Sequence, residues 1–255
     1  MKKIKILIEY DGTSYHGWQI QKRGETLQGI LEDRIAKITG EQSRVTGASR
    51  TDAGVHALGQ VATFTTSSRL EPRTIKKALN AVLPPYIRIL DASEAEDSFN
   101  PRDDAFRKSY FYIIANQRES SVFLYRFAWL VPQPLNLKSM TEAAEVLIGT
   151  HDFSSFMGTG SSIKDPVREI FSLSIDKLER IYFMTAVMSG NFIKIRIEAN
   201  GFLRHMVRNI VGTLVEIGRG RISPDKMKEI LKSRDRKRAG QTAPPHGLFM
   251  ERIDY

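Results

Sequence analysis

Residues 4–12 read IKILIEYDG and residues 193–201 read IKIRIEANG, a match at six of nine positions. In both, isoleucines recur at a period of two, the spacing that puts one face of a β-strand against a core. Each stretch ends in a turn, Asp11-Gly12 in the first, and a helical pattern follows each. Two related lobes would produce this echo. Two alternating strands drawing on the same few residue types would produce it as well.

Working outward from the first copy, Thr26 is placed to cap a helix with Leu27, Ile30, Leu31, Ile35 and Ile38 on its apolar face, closed by Gly40. Val61–Thr65 reads as a strand, Thr74–Leu83 as a helix stopped by Pro84-Pro85, and Ile87–Leu90 as another strand. The acidic stretch Asp91–Asp97 then runs to Pro101, which predicts a boundary between a lobe over 1–100 and a second over 101–255. In the second lobe Tyr110–Ala115 reads as a strand and Leu137–Ile148 as a helix. Residues 156–163, FMGTGSSI, read as a loop whose spacing fits no phosphate-binding fingerprint. Strands are expected at Ile170–Ile175, Ile181–Met188 and Phe192–Ala199, the last two joined at Ser189-Gly190-Asn191. Phe202–Ile217 reads as a strongly apolar helix, and Ser223-Pro224 opens another. The expected class is α+β, with mainly antiparallel strands and helices on one face of each sheet.

A chain of 255 residues, 41% hydrophobic and 26% charged, suits two lobes of ordinary soluble composition. No run approaches the ~18 apolar residues of a membrane span. The opening Met1-Lys2-Lys3 leads into an apolar stretch broken by Lys5 and ended by Glu9 and Asp11, unlike a signal peptide, so a cytoplasmic protein is expected. With no cysteine, disulfides, thiolate nucleophiles, cysteine zinc sites and iron–sulfur clusters are excluded. Thirty-eight Lys plus Arg against twenty-nine Asp plus Glu leave a net +9, which favours a polyanionic partner. Gly201–Tyr255 alone holds twelve basic and six acidic residues, and Lys232–Arg238 has five basic residues against one Asp. Charge alone does not separate RNA from DNA or anionic lipid, and a solvated helix end would look the same.

The segment richest in reactive groups is GASRTDAGVHA, Gly47–Ala57. Ala53 and Gly54 let a ligand approach the backbone beside Asp52, and Arg50 is placed to pair with Asp52 or with a phosphate. Taken by itself the pattern is also that of a plain Asp-x-Gly turn accepting backbone hydrogen bonds. The five histidines, at 16, 56, 151, 205 and 246, form no H-x-H, H-x₃-H or HExxH pair, so no metal site is expected. His56 reads as a structural hydrogen-bonding residue. Asp103-Asp104, between Arg102 and Arg107, reads as ordinary surface.

GASRTDAGVHALGQV closely resembles the signature of the tRNA pseudouridine synthase A (TruA) family. The opening IEYDGTSYHGWQIQ resembles the family's N-terminal strand and turn through Asp11, Gly12, Tyr15, Gly17, Trp18 and Gln19. Lys108-Ser109-Tyr110-Phe111-Tyr112 looks like its K/R-x-Y-x-Y strand, and Gly201-Phe202 with His205–Gly212 like its HMVRNIVG helix. The four blocks stand in the family's order and cover most of the chain. The resemblance implies a pseudouridine synthase fold with the active-site cleft between two lobes. It implies an isomerase that converts uridine to pseudouridine at positions 38, 39 and 40 of the tRNA anticodon stem-loop, as a homodimer and without a cofactor. By the same resemblance Asp52 corresponds to the catalytic aspartate and Tyr110 to the active-site tyrosine. Arg50 corresponds to the arginine that helps extrude the base, and Arg208 to the one that pairs with the aspartate. The loop 156–168 and the tail 232–246 match no family position residue by residue. A non-catalytic RNA-binding module and a metal-dependent nuclease using Asp52, Asp103 and Asp104 are the competing classes.

Overall fold

The computed structural model describes residues 1–160, 163–183 and 185–255, with residue 183 described by its backbone alone. In chain order the elements are β1 (Lys2–Tyr10), α1 (Leu27–Thr39), β2 (Thr46–Gly47), β3 (His56–Thr66), α2 (Pro72–Val82), β4 (Ile87–Ala95), β5 (Arg107–Ala115) and β6 (Trp129–Leu130). Then come α3 (Leu137–Glu145), β7 (Gly149–Asp152), β8 (Val167–Phe183), β9 (Ala186–Ala199), α4 (Met206–Gly218), α5 (Lys226–Ser233) and β10 (Leu248–Asp254). The class is α+β, as expected.

Two compact units emerge, Met1–Lys108 with Phe249–Tyr255, and Ser109–Leu248. The division differs from a boundary at 100/101 in two ways. Asp91–Ala95 do not leave the first lobe; they extend β4 antiparallel along β1, with Leu7 opposite Asp91 and Lys3 opposite Ala95. The last seven residues also return to the first unit, where β10 runs parallel to β3 through Phe249–His56 and Met250–Ala57 pairs. A return of this kind has no local signature, because pairing across most of the chain leaves no mark on the composition of either partner.

In the first unit β1 lies between β4 and β3, antiparallel to both. Its alternation buries Ile4, Ile6, Ile8 and Tyr10 and leaves Lys3, Lys5 and Glu9 half-exposed. Each isoleucine removed from water contributes roughly 1.5–3 kcal/mol. Helix α1 starts where expected, with the Thr26 hydroxyl accepting from Gly29 N–H, a cap worth about 1 kcal/mol. In the second unit β9 is hydrogen-bonded to β5 and β8, and β7 adds to the far side of β8. Both echo segments are thus internal strands, each followed by a turn and a helix.

The hairpin turn expected at Ser189-Gly190-Asn191 is elsewhere. Those residues lie inside β9, where the register shifts so that Leu178 faces Phe192 and Arg180 faces Ser189. One extra residue on β9 is a β-bulge, and glycine marks bulges as well as turns. The bulge is held by Asn191, whose side chain donates to Asn116 O and Oδ1 while its N–H donates to Gln117. Residue 184, in the expected strand Ile181–Met188, and residues 161 and 162 of the expected loop 156–163 lie outside the described residues.

Helix α4 begins at Met206 rather than Phe202, because His205 takes a left-handed conformation (φ 60°) that interrupts helical geometry. Its predicted apolar face of Leu203, Met206, Val207, Ile210, Val211 and Leu214 is entirely buried. Only Arg208 and Glu216 of the helix are not. Helix α5 likewise starts at Lys226, after Ser223 and Pro224 have made a turn through Lys226 N–H to Ser223 O.

Candidate active site

Asp52 and Arg50 sit on the connection from β2 to β3, residues 48–55. Strand β2 is only two residues, pairing Thr46 with Thr63 and Gly47 with Ala62, and Ala48 N–H still donates to Val61 O (2.8 Å) before the chain departs. The loop beyond it is gripped on both sides of Asp52. Trp18 N–H donates to Thr51 O (3.0 Å), Gly54 N–H to Tyr15 O (3.3 Å), and Val55 N–H turns back onto Asp52 O (3.2 Å). The Thr51 hydroxyl meets the Tyr10 hydroxyl at 2.7 Å, and Gln60 donates to Ser49 O (2.8 Å). The buried Lys108 ammonium donates to Ala48 O at 2.8 Å.

Gly17 lies directly beneath the loop. A Cβ there would stand 2.6 Å from Thr51 O, and its φ of 85° is one that side-chain-bearing residues rarely adopt. Asp52 is half-buried and Arg50 exposed. The result is a carboxylate whose backbone is fixed by neighbours on each side, the pre-organisation that a reacting group requires.

Asp11 and His56 brace the same loop from behind. His56 is buried and stacks on Phe249 with ring centroids 4.7 Å apart. Its Nδ1 is 3.1 Å from Gly12 N and 3.2 Å from Asp11 Oδ1. Burial alone would raise the Asp11 pKa, but the neighbouring His56 and the hydrogen bonds from the Thr13 hydroxyl and N–H outweigh it and hold the carboxyl well below the usual carboxylate range. Tyr15 is pushed up by burial, then by Glu25 and Asp11. Tyr10, Trp18 and Lys108 have no role in the residue-by-residue chemistry of the sequence. Their signal was their place inside the two motif blocks that flank the Asp52 segment.

Tyr110 and Arg208 belong to the second unit. Tyr110 is buried on β5, and the ring of Phe202 meets it edge-on at 5.1 Å and 79°. Tyr112, on the same face of β5, donates its hydroxyl to Pro244 O (2.8 Å), and burial drives its pKa far above the tyrosine range although Arg208 opposes the shift. Phe202 is not among the site residues expected from sequence. Its only signal there is adjacency to Gly201 in the motif. Arg208 lies in the first turn of α4, half-buried, with Nε donating to Ala243 O (2.8 Å) and its own carbonyl accepting from Ala243 N–H (3.0 Å). The guanidinium is therefore aimed by the segment that precedes β10.

A family model described as tRNA pseudouridine synthase matches residues 6–102 and 143–255. The chain is 48% identical over 255 residues to tRNA pseudouridine synthase A of Thermoanaerobacter sp. (strain X514), covering 100% of both chains. It is 44% identical, again over 100% of both, to the enzyme of that name from Thermodesulfovibrio yellowstonii.

The chain belongs to the tRNA pseudouridine synthase A family.

Members of that family are isomerases, and so is this chain. Among solved structures, an H/ACA RNP bound to a substrate RNA containing 2′-deoxyuridine matches 84% of this chain and 44% of that one, at 12% identity and a TM-score of 0.35. For a pseudouridine synthase the basic C-terminal run matters as a candidate RNA surface, and its residues divide into two kinds. Lys232, Arg234, Lys237 and Arg238 are exposed. Arg236 turns inward: it donates to Asn209 Oδ1 (2.9 Å), Thr242 Oγ1 (2.9 Å) and Gly240 O (2.9 Å), and burial pulls its pKa below the usual arginine value. Asp103 and Asp104 are exposed and accept hydrogen bonds from Asn100, closing the turn at 100–104. Among the described residues no helix is long and apolar enough to cross a membrane, and no group of three or more His, Asp or Glu side chains could hold a metal ion.

Proposed function

We propose that this protein isomerises uridine to pseudouridine at positions 38, 39 and 40 of the tRNA anticodon stem-loop, with Asp52 as the nucleophile and no cofactor. The reaction breaks the bond from ribose C1′ to uracil N1, turns the base and forms a C1′–C5 bond. N1 gains a proton and C5 loses one, so atoms balance without a redox partner or group donor. A carboxylate suits such a step because it adds and later leaves. The observation that carries the reading is the clamping of the 48–55 loop on both sides of Asp52, which fixes the backbone that carries this carboxylate while leaving the residue half-exposed. Arg208 is assigned to pair with that carboxylate, as the family resemblance implies. A uridine in a paired stem hides its reacting atoms, so the base must be extruded. Arg50 is assigned to the vacated position, and Tyr110, braced by Phe202, to the face of the extruded base. The same reading takes the enzyme as a cytoplasmic homodimer.

The test uses tRNA carrying uridine tritiated at C5, since forming the new bond releases that tritium. Carbodiimide labelling then maps the modified positions. Asp52→Asn keeps shape and hydrogen bonding but removes the nucleophilic charge, and tritium release should fall by several orders of magnitude. Binding should persist, because phosphate contacts dominate affinity. Near-normal release by folded Asp52→Asn would sink the assignment.

A further inference from the structure

His56 is the first residue after the loop that carries Asp52, and it meets three groups at once. The turn after β1 grips the Asp52 loop at several points, and His56 secures the end of that grip nearest the strand. Gly12 is wedged there. A Cβ on Gly12 would lie 1.9 Å from Val55 O, so its backbone is pressed against the loop's last residue. The N–H of Gly12 points to His56 Nδ1 at 3.1 Å. Val55 in turn donates its N–H to Asp52 O (3.2 Å). The order Asp52–Val55–Gly12–His56 is thus a continuous chain of backbone contacts ending on one imidazole nitrogen. That nitrogen is also 3.2 Å from Asp11 Oδ1. The two neighbours make opposite demands, because Gly12 N–H needs a lone pair on Nδ1 and the carboxylate needs a proton there. One nitrogen serves one of them at a time. The ring stacks on Phe249 in β10, which fixes its plane.

We propose that His56 is a positioning residue for catalysis, holding the Asp52 loop in its reactive placement through the hydrogen bond from Gly12 N–H to His56 Nδ1. The proposal rests on the reading of Asp52 as the nucleophile. His56 is assigned no contact with substrate or with the reacting carboxylate. Its effect is geometric: releasing Gly12 lets the Val55 end of the loop shift. A displacement of about 1 Å at a reacting group costs on the order of 100-fold in rate. The loss belongs in kcat rather than KM, because tRNA affinity is spread over many phosphate contacts.

Three His56 variants and Asp52→Asn are compared by tritium release at saturating tRNA, with tRNA KM and a thermal melt for each. His56→Ala should lower kcat by about 100-fold with KM within a few-fold. His56→Asn places an amide oxygen near the Nδ1 position, where it accepts from Gly12 N–H, and should restore kcat to within roughly ten-fold of the parent. His56→Gln carries similar polarity with its oxygen one bond further out and should behave like His56→Ala. Unchanged kcat in folded His56→Ala, a loss confined to KM, or His56→Asn no faster than His56→Gln would each overturn the proposal. If His56→Ala does not fold, the Asn-against-Gln comparison decides by itself. The nucleophile assignment fails separately: an active Asp52→Asn removes it, whereas an inactive Asp52→Asn beside a fully active His56→Ala removes only the positioning role.

Discussion

The guanidinium of Arg236 reaches into the protein to Asn209, whose side chain is wholly buried and also donates to Phe156 O (2.7 Å). In the sequence it is one of five basic residues in seven, and nothing in KSRDRKR distinguishes it from its neighbours. What does is Asn209 on α4, a buried acceptor that needs donors and finds them in Arg236 and Thr242. Arg236→Ala leaves the Asn209 carbonyl short of a partner, so it should lower stability by about 1–3 kcal/mol in a urea or guanidinium titration. Arg238→Ala, at an exposed position, should change it by less than about 0.5 kcal/mol. Equal effects would mean the network contributes nothing. The same contrast applies to the site. The proposed site residues Asp52, Arg50, Tyr110 and Arg208 stand out in the sequence through the motif blocks around them, whereas the carbonyl that Lys108 secures and the ring that Phe202 lays on Tyr110 belong to partners far away in the chain.

Element boundaries moved wherever tertiary contacts outweighed local signals. Helix α1 has cap, face and stop within one continuous stretch, and it forms over Leu27–Thr39 as read, with Gly40 N–H closing on Ala36 O. By contrast Ser189-Gly190-Asn191 carries every mark of a turn and becomes a bulge, because Asn116 and Gln117 supply hydrogen bonds to it from outside the hairpin. At the start of α4 the apolar spacing continues back to Leu203, yet His205 is left-handed and Arg204 O accepts from Gly158 N–H (2.8 Å) instead of joining the helix. A β-branched residue tolerates that backbone worst and asparagine best among side-chain-bearing types. His205→Val should therefore cost about 1–2 kcal/mol more than His205→Asn in chemical denaturation. Equal costs would show that the left-handed turn is not a constraint.

At the scale of the whole molecule the net charge of +9 is the property that the fold distributes rather than creates. With tRNA as substrate, affinity should fall steeply as salt rises, log K against log salt losing roughly 0.7 to 0.9 per neutralised phosphate. Filter binding or fluorescence anisotropy across a salt series measures the slope, and a flat response would refute phosphate-dominated binding. Replacing Lys237 and Arg238 together should make the slope shallower if the exposed part of the run meets RNA, while Arg236, occupied by Asn209, should contribute nothing to it. The domain division is also a whole-molecule property. The final strand β10 and Tyr255 complete the first unit: Phe249 stacks on His56, the Tyr255 hydroxyl donates to Pro101 O (2.8 Å), and Asp254 O accepts from Phe106 N–H (3.1 Å).

The amino-acid sequence by itself determined the strand periodicity of Ile4–Ile8, the caps of α1, the apolar face of α4, the absence of cysteine chemistry and the motif order that marks the family. These are decided by neighbours within a few residues or by composition, and local sterics, capping and burial periodicity act over that range. Tertiary structure alone decided that β10 completes the first unit, that Gly190 makes a bulge, that Arg236 turns inward as a donor to Asn209 and that His56 meets Gly12, Asp11 and Phe249 together. Each of those depends on partners brought together from distant parts of the chain, and a residue's own spacing carries no record of which distant group will need its hydrogen bond.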